Sequence, residues 1–226
     1  LFRSGTIEVV ASVNQWGTVA KTLGGDNVNV TSIINSTNVD AHDYEPTTSD
    51  IAKLQKAQVI IVNGAGYDAW AVKAAQSANV TIVNAAAVGG VNDGENPHVW
   101  FSADVRKAVA QAITEAYEQA DAAKKSDFDK LHDQWKSEEN NVESKIAEVK
   151  QKSDGLAYAA TESVASYLAE DMGLTDATPS GYARATANES EPTPTDIKQF
   201  TDALKAGEIK LLVVNTQEES EDRKST

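Results

Sequence analysis

Two histidines are the side chains of this 226-residue sequence best placed to do chemistry, and that chemistry is metal coordination. His42 lies in Asp40-Ala41-His42-Asp43-Tyr44-Glu45-Pro46 and His98 in Asn96-Pro97-His98-Val99-Trp100, both in loops that follow or separate short β-branched runs. A neutral imidazole is a strong donor to Zn²⁺, Mn²⁺ or Fe²⁺, and loops on a rigid sheet can bring together ligands that are far apart in sequence. There is no Cys, so thiolate sites, disulfides and cysteine nucleophiles are excluded together, and any ion must be held by nitrogen and oxygen. Each histidine alone also reads as an ordinary polar loop residue. The third, His132, stands beside Asp133 in a helical stretch and reads as solvated.

The elements that must position these loops follow from the hydrophobic pattern. Ile7 to Val13, Val28 to Ile34, Val59 to Asn63 and Val80 to Val83 read as strands, with helices at Trp16 to Leu23, Thr48 to Ala57 and Asp68 to Ala78 between them. Repeated βα units of this kind build a mostly parallel sheet, whose ligand crevice lies beyond the carboxyl ends of the strands. From Asp104 the composition turns to Ala, Lys, Glu, Asp and Gln, and Phe128, Leu131, Trp135, Val142, Ile146 and Val149 mark one apolar stripe. The spacing predicts a helix from Ser126, as its N-cap, to Lys152, roughly 40 Å long. After Gly155 the βα texture returns, with strand Leu156 to Ala160, helices Ser163 to Met172 and Ile197 to Leu204, and a buried-type strand Leu211 to Asn215. The expected class is α/β: two lobes with mostly parallel sheets flanked by helices, joined by one long rigid helix. Residues 1–103 form the first lobe, 104–152 the helical segment and 153–226 a second lobe that reads as incomplete.

The formal charge of −14 disfavours nucleic acid and anionic membrane surfaces as partners and leaves cations as the natural charged ones. No apolar run approaches the roughly 18 residues of a membrane span, and the first residues lack a signal-peptide layout. A secreted chain after processing and a cytoplasmic one read alike on this point.

His42-Asp43-Tyr44-Glu45-Pro46 with Ser49-Asp50-Ile51, the Val62-Asn63-Gly64 strand end, Asn96-Pro97-His98-Val99-Trp100 and the long helix together resemble the metal-binding solute receptors of zinc and manganese ABC importers. The match runs in order from Ile7 to about Asn215. The resemblance implies a third ligand just after the first strand of the second lobe, usually a His followed five residues later by Tyr; here Thr161-Glu162 precedes Tyr167, so Glu162 stands in that place. It implies high-affinity extracytoplasmic capture of one Mn²⁺ or Zn²⁺ by a monomer, delivery to a cognate ABC permease, no catalysis, and membrane attachment only through a removed lipid anchor. The fourth ligand, an Asp, is expected beyond Thr226. A carboxylate in place of an imidazole makes the site harder, in the direction of Mn²⁺, although Zn²⁺ also accepts two His and one Glu. Many zinc receptors of this family carry a His-rich loop between the positions of Ala85 and Asn96, and its absence here favours manganese or a loop-free zinc binder.

Other readings stay open. Glu162 also reads as a carboxylate favoured by a helix N-terminus. Two His and one Glu occur in catalytic zinc hydrolases too, but there is no His-Glu-x-x-His helix and no partner for a general base. A surface adhesin is the third alternative. Trp16, Trp70, Trp100 and Trp135 read as packing residues, with Trp100 also able to wall off an ion at His98. Glu189 and Glu191 read as a solvated loop or a docking edge, and Glu218 to Asp222 as exposed charge.

Overall fold

The structure, a computed structural model, describes residues 5–36, 39–78, 80–188 and 190–215. The chain divides into two compact units, Leu1–Val142 and Glu143–Thr226.

In the first unit β1 (Ile7–Val13), β2 (Val28–Ile34), β3 (Val59–Val62) and β4 (Thr81–Asn84) form one sheet in the order β2-β1-β3-β4, every pair parallel. Its central strands are buried on both faces, as the unbroken Val59-Ile60-Ile61-Val62 run requires. Helices α1 (Asn14–Gly24), α2 (Thr48–Lys56) and α3 (Ala69–Gln76) carry the three crossovers, and α4 (Ala85–Val88) and α5 (Ala103–Ala120) follow β4. One face packs Val10, Ile60 and Val62 against Leu54, Ala71 and Ala75. Elsewhere Trp16, Leu23, Tyr117 and Phe128 are fully buried, and the Tyr117 hydroxyl donates to the Ala20 carbonyl at 3.0 Å.

Helix α6 (Lys125–Ser153) is a single 29-residue helix that contains the boundary between the units. It is not capped by Ser126. A 3₁₀ turn at Ala122–Lys124 runs directly into it, and the Asp121 side chain accepts from the Ala123 N–H, so the capping carboxylate sits five residues upstream of the expected position. The apolar stripe holds only in part: Phe128 and Trp135 are buried, whereas Val142 and Val149 are 47% and 43% exposed, because burial of the stripe ends where the first unit ends. His132 departs from its solvated reading as well. It is only 9% exposed beside the Trp135 ring, and burial together with Lys136 holds its pKa below the ordinary imidazole value.

In the second unit β5 (Ala157–Ala160) is flanked by β6 (Thr175–Asp176) and β7 (Leu211–Val213), all parallel. Tyr158, Ala160 and Ala169 form a core on one side and Ala159, Tyr182 and Phe200 on the other. The helices are α7 (Ser166–Asp171), entered through a 3₁₀ turn at Ser163–Ala165, α8 (Ser180–Ala187) and α9 (Pro194–Lys205). Thr193 and Asp196 cap α9 reciprocally. β7 is not the buried strand its composition suggests: Leu211 and Leu212 are 47% and 41% exposed, since β7 is an edge strand among the described residues. Two short elements, β6 and α8, carry too few apolar residues to be legible in the sequence. Among the described residues no helix is long and apolar enough to cross a membrane.

Candidate metal centre

Both histidine loops leave the carboxyl side of the first sheet, and they meet at Tyr67. The His42 ring lies edge-on to the Tyr67 ring at a centroid distance of 4.7 Å, and the His98 ring lies 5.8 Å from it. Trp100 completes the aromatic wall, 5.1 Å from Tyr67 and 5.4 Å from His98. His42 is half-buried and His98 is 6% exposed.

Tyr67 reaches this position through a turn that the backbone enforces. Gly64, Ala65 and Gly66 all have positive φ (77°, 51° and 83°), and a side chain at Gly64 would collide with Asn84 Oδ1, 2.1 Å from its Cβ. Asp68 closes the turn. Its fully buried carboxylate accepts from the Asn63 N–H at 2.7 Å and the Gly64 N–H at 2.9 Å, while burial pushes its pKa up against these bonds. Tyr67 was missed at the level of sequence. The Gly-Ala-Gly run just after β3 was the available signal, since it marks a tight turn at the ligand-bearing edge.

The His42 loop is held at three points. Asp40 Oδ1 accepts from the His42 N–H at 2.8 Å, Trp70 Nε1 donates to the Ala41 carbonyl at 3.3 Å, and the Tyr44 hydroxyl donates to Asp50 Oδ2 at 2.8 Å. Asp50 is also the third residue of α2, in a reciprocal capping box with Thr47, and Lys53 Nζ approaches it at 3.1 Å. Burial opposes its ionisation, but hydrogen bonds from Thr47, Tyr44 and Lys53 outweigh that and hold the carboxyl well below the usual carboxylate range. The Tyr-Glu-Pro motif beside His42 is thereby a lock between loop and helix.

Asp50→Asn is expected to destabilise the chain by about 1–3 kcal/mol, by weakening charge-assisted bonds to a buried group. A depressed folded pKa contributes stability that is present above the ordinary value near 4 and is lost as pH falls through the folded value. Urea unfolding of wild type and variant should therefore give curves that differ at neutral pH and converge in acid.

The His98 loop is anchored separately. The buried Asn63 amide donates from Nδ2 to the Pro97 carbonyl at 2.8 Å and accepts at Oδ1 from Trp16 Nε1 at 2.9 Å. From the other side Arg106 Nη1 donates to the Trp100 carbonyl at 3.1 Å, and Arg106 Nε contacts both Glu139 oxygens at 3.0 and 3.2 Å.

Glu162 belongs to the second unit. It follows β5, and the Asn215 side-chain amide donates to its carboxylate. Thr161 Oγ1 accepts from the Asn215 N–H at 3.1 Å, which ties the end of β5 to the segment after β7. Glu162 occupies the N-cap position of the 3₁₀ turn, yet its side chain makes no capping bond. Among the described residues no cluster of three or more His, Cys, Asp or Glu side chains is spaced to hold an ion. Within the first unit, the fold brings together the two histidines. Glu189 and Glu218 to Asp222 lie outside the described residues.

Known proteins share the fold and much of the sequence pattern. The manganese ABC transporter substrate-binding lipoprotein PsaA of Streptococcus anginosus is 24% identical over 231 residues, covering 93% of this chain and 72% of that protein. The crystal structure of ZnuA superposes with a TM-score of 0.80 at 19% identity over 97% of this chain and 86% of that one. Zn(II)-bound AdcA from Streptococcus pneumoniae superposes with a TM-score of 0.74 at 21% identity over 93% of this chain; the match spans 46% of AdcA, a longer protein. The family model described as ZnuA, zinc-uptake complex component A, periplasmic, matches residues 9–225, nearly the whole chain. On that match the chain belongs to the ZnuA family of metal-binding solute receptors.

Proposed function

We propose that this chain is the extracytoplasmic receptor of a metal ABC importer, which captures one Mn²⁺ or Zn²⁺ ion through His42, His98 and Glu162 and delivers it to the cognate permease. The observation that carries the reading is the convergence of the two motif-bearing histidine loops on Tyr67, at the carboxyl edge of a parallel sheet. As a member of a solute-receptor family it performs no catalysis, which sets aside a hydrolase. Two imidazoles and a carboxylate form a donor set of intermediate hardness, suited to either ion, and relatives carry names for both manganese and zinc. The carboxylate is the residue that tilts the balance toward Mn²⁺. In this reading residues 1–103 and 153–226 are the ligand-bearing lobes, residues 104–152 carry the linking helix, and the receptor works as a monomer.

Competitive binding of Mn²⁺ and Zn²⁺, with bound metal quantified by elemental analysis, tests the assignment. The wild type is expected to bind one equivalent. Glu162→Ala should lose at least tenfold in affinity for both ions, and Glu162→His should move the preference toward Zn²⁺. Unchanged binding in Glu162→Ala would remove the carboxylate from the site.

A further inference from the structure

The geometry points to Asn96 as a positioning residue that locks the neutral His98 ring in its Nδ1–H tautomer, so that the ion is taken by Nε2. This deepens the proposed function and rests on His98 being a ligand.

Asn96 Oδ1 lies 3.1 Å from the His98 backbone nitrogen and 2.7 Å from His98 Nδ1. A backbone N–H can only donate, so the Asn96 atom facing it must be the carbonyl oxygen of the amide and not its nitrogen. That fixes which way round the amide sits. A carboxamide oxygen has no proton to give, so the hydrogen bond to the ring exists only if Nδ1 carries the hydrogen. The remaining lone pair of the neutral ring is then on Nε2.

The support is itself immobile. The residue between the two, Pro97, has its carbonyl held by the buried Asn63 amide, whose oxygen is in turn held by the buried Trp16 indole. Pro97 also fixes its own φ. Asn96 and His98 are therefore held together by a polar network whose Asn63 and Trp16 members are fully buried. The backbone half of this arrangement recurs at the other histidine, where Asp40 Oδ1 accepts from the His42 N–H at 2.8 Å. Both histidines are thus third residues of turns closed by a side-chain oxygen two positions earlier.

A ring fixed in the coordinating tautomer binds an ion without first moving a proton between its nitrogens. Outer partners of this kind are worth about tenfold to a hundredfold in metal affinity.

The test begins on the metal-free chain with ¹⁵N-labelled histidine, by long-range ¹H–¹⁵N correlation at about pH 8.5, where an ordinary imidazole is neutral. His98→Gln identifies the resonances. The wild type is expected to show a protonated Nδ1 and a bare Nε2 at His98. Asn96→Ala should show exchange between tautomers and a Zn²⁺ affinity, measured by chelator competition, lower by about tenfold to a hundredfold. Asn96→Asp, which keeps the acceptor, should restore both. A protonated Nε2 in the wild type, or an Asn96→Ala variant with unchanged tautomer and Zn²⁺ affinity, would overturn the assignment. Wild-type Zn²⁺ affinity in His98→Gln would instead refute His98 as a ligand, so the two failures are separable.

Discussion

His98→Ala is expected to lower the affinity for Mn²⁺ and Zn²⁺ by more than a hundredfold, with His42→Ala similar in direction. The magnitude follows from comparison with supporting residues: loss of a hydrogen-bond partner to a ligand costs about tenfold to a hundredfold, and loss of the ligand itself must cost more. His98 is 6% exposed, pinned through its backbone and its ring, and walled by Trp100 and Tyr67. His42 is half-buried on a loop held by Asp40, Trp70 and the Tyr44–Asp50 bond. Thermal unfolding of metal-free His42→Ala should stay close to the wild type, whereas His98→Ala, which removes a buried and hydrogen-bonded ring, should lower the Tm by a few degrees. Retention of bound metal by both variants after dialysis against chelator would place the ion elsewhere.

The largest effect on stability is expected at Glu139. Its carboxylate is 8% exposed and is gripped by Arg106, itself 16% exposed, which also holds the Trp100 carbonyl. Removing one partner of a buried ion pair leaves an uncompensated charge, so Glu139→Ala should cost about 3–5 kcal/mol. Replacing both partners with apolar residues of similar volume, as in Arg106→Met with Glu139→Leu, should recover most of that loss. Denaturant titration of the single and double variants measures the difference. Metal affinity separates the two jobs of the pair: in the double variant stability returns, but the Trp100 carbonyl has lost its donor and the His98 loop its second anchor. An equal stability loss in single and double variants would show that packing, not charge, dominates there.

Much of what shapes the two histidine loops of the candidate site was legible because its determinants are local. The His42 and His98 loops announce themselves by short motifs, and the structure gives those motifs physical content: the Tyr44 hydroxyl and Thr47 fasten the first loop to Asp50, and Asn96 fastens the second to its own histidine. The parallel sheet was equally legible, since β-branched runs with helices between them admit few other arrangements. What escaped depends on partners distant in sequence. Tyr67 acquires its place only when two loops fold against it. His132 reads as solvated from the adjacent Asp133, yet the packing of α6 buries it beside Trp135. The Arg106–Glu139 pair spans 33 residues and looks like two ordinary surface charges on predicted helices. β7 errs in the opposite sense, because an apolar run reads as buried whether or not a neighbouring strand lies beside it.

The turn at Gly64, Ala65 and Gly66 bears on both histidine rings at once. It fixes one phenol ring against which both imidazoles rest, so that under the proposed function the two histidines would meet an ion from a common support rather than as two independent arms. Such a pair adjusts little to ionic radius. Under the proposed function, latitude in fitting a larger or smaller cation would then come from Glu162, whose carboxylate is not part of the aromatic cluster.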